Sequence, residues 1–249
     1  MQQPARFWTV EDNRPEFGYD LIAAEYYDDG HITSRNFDQT TVAALTHSPP
    51  ALPQEGLILE LGAGRGRSRE FLGVDPNRVV HLDKSLTMLS LPGREPCLLT
   101  VLADACDIPL GPEQFTVVTG FLVDPFLGLN CLREAHRMLR NGGELLFTTP
   151  TYMWGAPLRQ RINLDIMTTR FRVLRSQKEE KVVLPSLLHT ADQLKAMLVH
   201  AGFVDIEITD HKLPKGTDKI SEDIKSVCKE IGVVSTNLPL IHIIRARRP

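Results

Sequence analysis

The segment from Leu57 to Arg67 constrains the fold more than any other part of the sequence. Its first five residues, Leu57-Ile58-Leu59-Glu60-Leu61, run directly into the alternating glycines Gly62, Gly64 and Gly66. A short apolar run that ends at glycine is typical of a strand buried on both faces. Glycine permits a tight turn and a close approach of backbone to a ligand, and a helix that starts there directs its N–H groups at that ligand. We therefore predict a strand, a ligand-binding turn and a helix start.

The spacing of these glycines argues against two common nucleotide sites. The nicotinamide and flavin fingerprint is G-x-G-x-x-G, and its third glycine would fall at Arg67. A P-loop needs Gly-Lys-Ser/Thr after its glycines, and that sequence is missing here. A glycine-rich turn that binds nothing is the remaining alternative.

An acid follows each of the next two predicted strands. Residues 78–83 form an apolar run that ends in Asp83, at about the 20-residue spacing at which βαβ sites place the acid that binds ribose hydroxyls. The alternative is that Asp83 caps the next helix, a role for which Ser85 competes. A third strand over 97–102 is followed by Asp104, which could instead form a simple turn.

The rest of the chain continues the alternation of strands and helices. Further strands are predicted at 115–121, 144–149, 203–208 and 239–245. A helix over 128–140 is expected to stop at Asn141-Gly142-Gly143, and Thr190 with Gln193 forms a capping box for another helix. Two short helices are expected near residues 19–29 and 36–46, after a loop over residues 1–18.

Several of these features together resemble one enzyme family. The pattern Glu60-x-Gly62-x-Gly64-x-Gly66, the ordered strands with their acids, and the block from Leu132 to Gly143 resemble class I S-adenosylmethionine (SAM) dependent methyltransferases. The resemblance covers about residues 56–150. It is closest to the small-molecule branch, the ubiquinone/menaquinone-type or Methyltransferase-11-like enzymes, although that family usually has Lys-Pro-Gly-Gly where this chain has Arg140-Asn141-Gly142-Gly143.

The resemblance implies an α/β, Rossmann-like fold. We expect a seven-stranded, mostly parallel sheet in the order 3-2-1-4-5-7-6, with the last strand antiparallel and helices on both faces. Residues 1–55 would form an N-terminal helical lid, and residues 56–249 a single methyltransferase domain. Inserts at about 151–189 and 210–238 belong to this chain's own branch, and their role is not predicted.

The resemblance also implies a cofactor and its binding residues. SAM would be the cofactor and S-adenosylhomocysteine (SAH) its product. Glu60 would help to hold the amino group of the methionine part, Asp83 the ribose and Asp104 the exocyclic amine of adenine. The full set of expected cofactor-binding residues is Glu60, Gly62, Ala63, Gly64, Gly66, Asp83, Lys84, Asp104, Ala105 and Phe121.

Methyl transfer depends largely on positioning, and some members of the family add a base. The candidates are His31, Tyr27 and Asp124, and each has a plainer interpretation: a loop histidine, lid packing and a turn before Pro125, respectively. Tyr26, Tyr152 and Trp154 also come from segments expected to border the methyl group.

Composition favours a small-molecule acceptor. A net charge of −3 without a basic stripe gives no support for a nucleic-acid surface. The four cysteines form no C-x-x-C pair, so we expect no metal site. No apolar run reaches the roughly 18–20 residues of a membrane span, and the first ten residues lack an apolar core, so we expect a cytoplasmic protein.

Two other functions stay open at this point. The domain could bind SAM without transferring a methyl group, as a regulatory partner or as a cyclase-type enzyme. A nicotinamide-dependent oxidoreductase is the other alternative, against which Arg67 and the two terminal strands argue.

Overall fold

The computed structural model describes residues 18–28, 30–175 and 178–249, apart from the side chains of residues 172–179. The predicted loop over residues 1–18 thus lies almost wholly outside the described residues, as does Asp29. The strands are β1 (Leu57–Leu61), β2 (Val79–Asp83), β3 (Leu99–Leu102), β4 (Phe115–Gly120), β5 (Leu139–Pro150), β6 (Thr168–Arg175), β7 (Lys178–Pro185), β8 (Val204–Lys212) and β9 (Pro239–Arg247). The helices are α1 (Gly18–Tyr26), α2 (Ile32–His47), α3 (Ser68–Leu72), α4 (Leu86–Leu89), α5 (Leu129–Met138), α6 (Tyr152–Arg161), α7 (Ala191–His200) and α8 (Glu222–Ile231).

Seven strands form one sheet in the order β3-β2-β1-β4-β5-β9-β8. Strands β1 to β5 pair in parallel, whereas β9 is antiparallel to both of its neighbours, β5 and β8. Once the separate hairpin of β6 and β7 is set aside, this is the predicted order 3-2-1-4-5-7-6 with an antiparallel last strand. The fold prediction is confirmed.

Helices cover both faces of the sheet because its strands are apolar on both sides. On one face, α5 and α7 pack on Leu59, Leu61 and neighbouring strand residues. On the other face, α2, α6 and α8 pack with Leu146 and Ile243. The predicted capping box of α7 is present, since Thr190 and Gln193 exchange hydrogen bonds with each other's backbone N–H groups.

The end of α5 differs from the prediction. The helix stops at Met138, and Asn141-Gly142-Gly143 lies inside β5 rather than ending the helix. Leu139 is fully buried and already pairs with Phe115, so the helix ends and the strand begins two residues earlier than predicted. Gly142, at φ +75°, instead takes up a register shift between β4 and β5, and its N–H donates to the carbonyl of Arg248.

The segments predicted as inserts form defined elements. The first holds α6 and the β6–β7 hairpin, which pairs antiparallel outside the main sheet. The second holds α8, whose first turn is capped by the hydroxyl of Ser221. Helix α1 packs against this hairpin through a small cluster around Ile22 and Leu184. The hairpin therefore lies beside the N-terminal helices.

Candidate functional site

A cavity of about 730 Å³ lies at the carboxyl ends of β1, β2 and β3. Its volume falls within the roughly 300–1,000 Å³ of typical small-molecule sites. Every residue expected to bind the cofactor lines it except Gly66. Open α/β sheets bind ligands at the carboxyl ends of their strands, so both position and lining mark this cavity as the candidate site.

The glycine turn has a backbone that only glycine adopts easily. Gly62, Gly64 and Gly66 have φ values of +63°, +50° and +82°. Each also faces an aromatic ring where a Cβ would stand. The pairs are Gly62 with Phe126, Gly64 with the Tyr27 hydroxyl and Gly66 with the His81 imidazole. The three glycines therefore allow three rings to pack directly on the turn.

Asp83 holds this turn by its carboxylate. One oxygen accepts the Gly64 N–H at 2.8 Å, and the other accepts the Ser85 N–H at 2.8 Å. Burial raises the pKa of Asp83 above its ordinary value, although these two N–H groups oppose the rise. The acid thus ties the end of β2 to the turn after β1, a role that the sequence did not reveal. Its predicted contact with a ribose stays a prediction.

Glu60 is buried beneath the turn and caps the short helix α3. Its two oxygens accept the N–H groups of Arg67 at 2.8 Å and of Ser68 at 3.0 Å. Burial raises the pKa of Glu60 to about 7, despite these hydrogen bonds. His81 Nε2 lies 3.6 Å from Glu60 Oε2, and burial lowers the pKa of His81 to about 4. The imidazole is therefore neutral at physiological pH.

The far side of the cavity is formed by the end of β3 and the residues after it. Asp104 accepts hydrogen bonds from Lys84 Nζ at 2.7 Å and from the Cys106 N–H at 2.8 Å. Burial alone would raise the pKa of Asp104, but these bonds hold it below its ordinary value, so the carboxylate is ionised at neutral pH. Ala105 is buried beside it, and Phe121 packs edge-on against Phe71 on the opposite side.

The N-terminal helices lie across the mouth of this cavity. The Arg65 N–H donates to the Tyr27 hydroxyl at 3.1 Å, and the Arg65 guanidinium lies 4.6 Å from the centre of the Tyr27 ring. In α2, Asp38 forms an ion pair of 2.7 Å with Arg67. Asp20 of α1 accepts a hydrogen bond from the Ser85 hydroxyl. The N-terminal helices are thereby hydrogen-bonded to both the glycine turn and the end of β2.

A second cavity of about 380 Å³ adjoins the first. The two share five lining residues, namely Tyr19, Tyr26, His31, Ser34 and Leu122. Aromatic rings surround this junction: His31 stacks on Phe171 at 4.0 Å, and Tyr26 stacks on Phe171 at 5.8 Å. The same side chains therefore line both cavities.

The three candidate bases occupy different positions. His31 is at the junction, and Tyr27 lines the first cavity. Burial raises the pKa of Tyr27 to about 12, which leaves it a neutral hydroxyl at physiological pH. Asp124 lines only the second cavity, and burial raises its pKa to about 6. Of the other residues expected near the methyl group, Trp154 lines the second cavity, while Tyr152 is exposed and lines neither.

Sequence reasoning missed the residues that complete the second cavity. Arg159 of α6 is 2% exposed and donates to the Ser186 hydroxyl at 2.5 Å, which in turn donates to Asp124 at 2.6 Å. Tyr19 belongs to both cavities, and burial together with Asp124 raises its pKa well above the ordinary value. No motif marks any of them, because they are brought together by the packing of the hairpin on α6.

Comparison with known proteins identifies the domain. Residues 59–147 match a family described as a methyltransferase domain. A probable SAM-dependent methyltransferase of Mycobacterium tuberculosis is 27% identical over 152 residues, which is 60% of this chain and 49% of that protein. The chain therefore spans about half the length of the curated relatives it matches.

Solved structures share the fold at low sequence identity. A SAM-dependent methyltransferase from Thermotoga maritima has a TM-score of 0.61 and 15% identity, over 93% of this chain and 98% of that one. A Haloferax volcanii methyltransferase solved in complex with the activator Trm112 has a TM-score of 0.65 and 15% identity, over 97% of this chain and 100% of that one.

The family match confirms the predicted resemblance to class I SAM-dependent methyltransferases for residues 59–147, with SAM as the cofactor of that domain, and the solved structures confirm the α/β fold. Within the described part of the chain, no helix is long and apolar enough to cross a membrane. The same residues contain no group of three or more His, Cys, Asp or Glu side chains that could hold a metal ion.

The packing of His81 on Gly66 predicts an unequal response to two glycine substitutions. Gly73→Ala places a Cβ where φ is +66° and no other atom lies within 4 Å, so it should cost about 1–2 kcal/mol of unfolding free energy. Gly66→Ala adds a clash with the buried imidazole and should cost about 1–3 kcal/mol more. Urea unfolding of each variant, with an unchanged m-value, measures the loss of unfolding free energy. Equal losses in the two variants would contradict the packing of His81 on Gly66.

The buried Glu60 predicts a pH-dependent stability. Its pKa is about 7 in the folded chain against 4.5 for the free side chain, so the unfolded state loses this proton first as pH rises. The stabilising contribution is complete below pH 4.5 and is lost as pH rises through 7. Relative to Glu60→Gln, the wild type should therefore lose roughly 3 kcal/mol across this window.

Urea unfolding between pH 4.5 and 8 tests this, with Glu55→Gln as the exposed control. Parallel stability curves for the wild type and Glu60→Gln would show that the Glu60 carboxyl is not perturbed.

Proposed function

We propose that this class I SAM-dependent methyltransferase domain binds SAM in the first cavity and transfers its methyl group to a small molecule in the second. The observation that carries the proposal is the junction of the two cavities, which share Tyr19, Tyr26, His31, Ser34 and Leu122. A cofactor and an acceptor held on either side of this junction would meet without crossing bulk water. Because orientation of two reactants can supply about 7–11 kcal/mol, this arrangement favours transfer.

The residues of the first cavity fit SAM along its length. Glu60, Asp83 and Asp104 follow one another across the adjacent strands β1, β2 and β3 and offer carboxylates to an amino group, a ribose and an adenine amine, respectively. Each of these carboxylates already accepts two hydrogen bonds from the chain. A carboxylate has about four acceptor sites, so each keeps capacity for the cofactor.

SAM supplies a methyl group activated by its sulfonium. The chain itself would hold the cofactor and the acceptor, enclose both, and accept a proton from the acceptor. Tyr27 and Asp38 bond the N-terminal helices to the turn at Arg65 and Arg67, so these helices form one wall of the first cavity. Loss of the Tyr27 ring would therefore open the cavity on the side of the glycine turn.

A proton from the acceptor would go to Asp124 or to His31. Asp124 has a pKa of about 6 because of its burial, so it is mostly ionised at neutral pH and close to the range in which a general base works best. His31 stands at the junction itself. Tyr27 instead has a positioning role, because its pKa of about 12 keeps it protonated.

The size and charge of the second cavity support a small-molecule acceptor. About 380 Å³ is near the lower end of known ligand sites. The net charge of −3 gives a nucleic acid no broad basic surface. Binding of SAM without methyl transfer is the competing function, and it predicts that SAM is held but no SAH is released in the presence of any acceptor.

Calorimetric titration with SAM and SAH tests the cofactor site. The wild type should bind both ligands, and Asp83→Ala should bind at least about 10-fold more weakly, because it loses about 1.4 kcal/mol of ribose contact. Asp107→Ala, an exposed residue that does not line the cavity, serves as the matched control. Unchanged affinity in a folded Asp83→Ala variant would remove Asp83 from the site.

A further inference from the structure

The charged side chains that line the second cavity differ in whether they already have a partner of opposite charge or a hydrogen-bond donor. Its wall contains two arginines, Arg159 and Arg170, and three acids, Asp124, Glu222 and Asp223. An acid that already has a donor needs no cation from a ligand, whereas a buried cation without an anion is costly. The partners of these five side chains therefore indicate the charge of the molecule that fits.

Each of the three acids already has a partner. Asp124 accepts the Ser186 hydroxyl at 2.6 Å. At the exposed rim, Glu222 pairs with Lys225 at 2.7 Å, and Asp223 lies 3.7 Å from Arg161. None of them depends on a ligand cation to balance its charge.

The two arginines donate their hydrogen bonds to neutral groups, although the Ser186 hydroxyl links Arg159 to the Asp124 carboxylate. Arg159 donates to the carbonyls of Thr168 at 3.1 Å and Gly155 at 3.4 Å, and to the Ser186 hydroxyl at 2.5 Å. Arg170 donates to the Ile162 carbonyl at 3.2 Å. Among the described residues, neither guanidinium has a carboxylate within 4.0 Å. A guanidinium has five N–H donors, so each of the two has donors beyond those already bonded.

The remaining wall is aromatic. Tyr26 and His31 stack on Phe171. Trp154 also lines the cavity, and the Arg159 guanidinium lies 5.7 Å from the centre of its ring. Flat aromatic surfaces favour a planar ring in offset or edge-on packing. A planar carboxylate in turn matches the fork of a guanidinium better than any other common anion.

We infer that the acceptor is a small aromatic carboxylic acid, whose ring packs beside Tyr26, His31 and Phe171 and whose carboxylate binds Arg159 and Arg170. This inference rests on the proposed function, because it names the molecule that would receive the methyl group. The carboxylate lies at the α6 end of the cavity, and the atom to be methylated points to the residues shared with the first cavity, where His31 rather than Asp124 would accept its proton.

Matched pairs of acids and amides test the inference. SAH-loaded protein is titrated with 4-hydroxybenzoate, 3,4-dihydroxybenzoate, anthranilate and 4-hydroxycinnamate, and with the primary amide of each. SAH release from SAM is measured with the same compounds. At least one acid should bind about tenfold or more tightly than its amide, since only the acid forms charge-assisted bonds with the arginines.

Three variants connect the preference to the arginines. Arg159→Gln and Arg170→Gln should each reduce the ratio of acid to amide affinity about tenfold and leave SAM affinity unchanged. Arg140→Gln is the control, because Arg140 is exposed and lines neither cavity. If the buried Arg159 variant fails to fold, the half-exposed Arg170 variant carries the test.

The outcomes separate the inference from the proposed function. If SAH binds but amides bind as well as acids, or if only aromatic amines are methylated, the inference is wrong and the proposed function stands. If Arg159→Gln lowers the melting temperature without changing the ratio, and Arg170→Gln has no effect on it, the arginines are structural. If neither SAM nor SAH binds the wild type, the proposed function itself fails.

Discussion

The carboxylate of Asp83 is the interaction on which the site depends. It accepts the N–H groups of Gly64 and Ser85 and so fixes the end of β2 against the turn after β1. The turn has positive φ at three glycines, and a buried backbone N–H without an acceptor costs about 1–3 kcal/mol. Because the same carboxylate lines the cavity, the fold at this point and the proposed contact with a ribose depend on one side chain.

The N-terminal helices also form hydrogen bonds with the glycine turn. Gly64 has no side chain, so the Tyr27 hydroxyl can reach the Arg65 N–H, while Asp20 accepts the Ser85 hydroxyl. The N-terminal helices are therefore bonded to the elements that the cofactor would contact. The same helices also help to form the second cavity, because Tyr19, Tyr26 and His31 line both. Binding of cofactor and acceptor should consequently be coupled through the position of these helices.

The sequence was sufficient for the sheet and the first cavity, but not for the second. Buried strands, glycines and caps are local signals, so the strand order and the residues around Glu60, Asp83 and Asp104 could be predicted. Asn141-Gly142-Gly143 was misread as a helix stop, because the burial of Leu139 against Phe115 depends on tertiary packing. Arg159 and Ser186 meet Asp124 only because α6, the end of the hairpin and the loop after β4 come together, a long-range contact that leaves no periodic pattern.

A crystal structure of the chain grown with SAH would test most directly whether the cavity between Gly64 and Asp104 is the cofactor site. The account predicts density for SAH with its ribose at Asp83, its adenine near Asp104 and Ala105, and its sulfur directed at the junction with the second cavity. SAH bound elsewhere, or in this cavity with its sulfur directed away from Tyr19 and His31, would contradict the account.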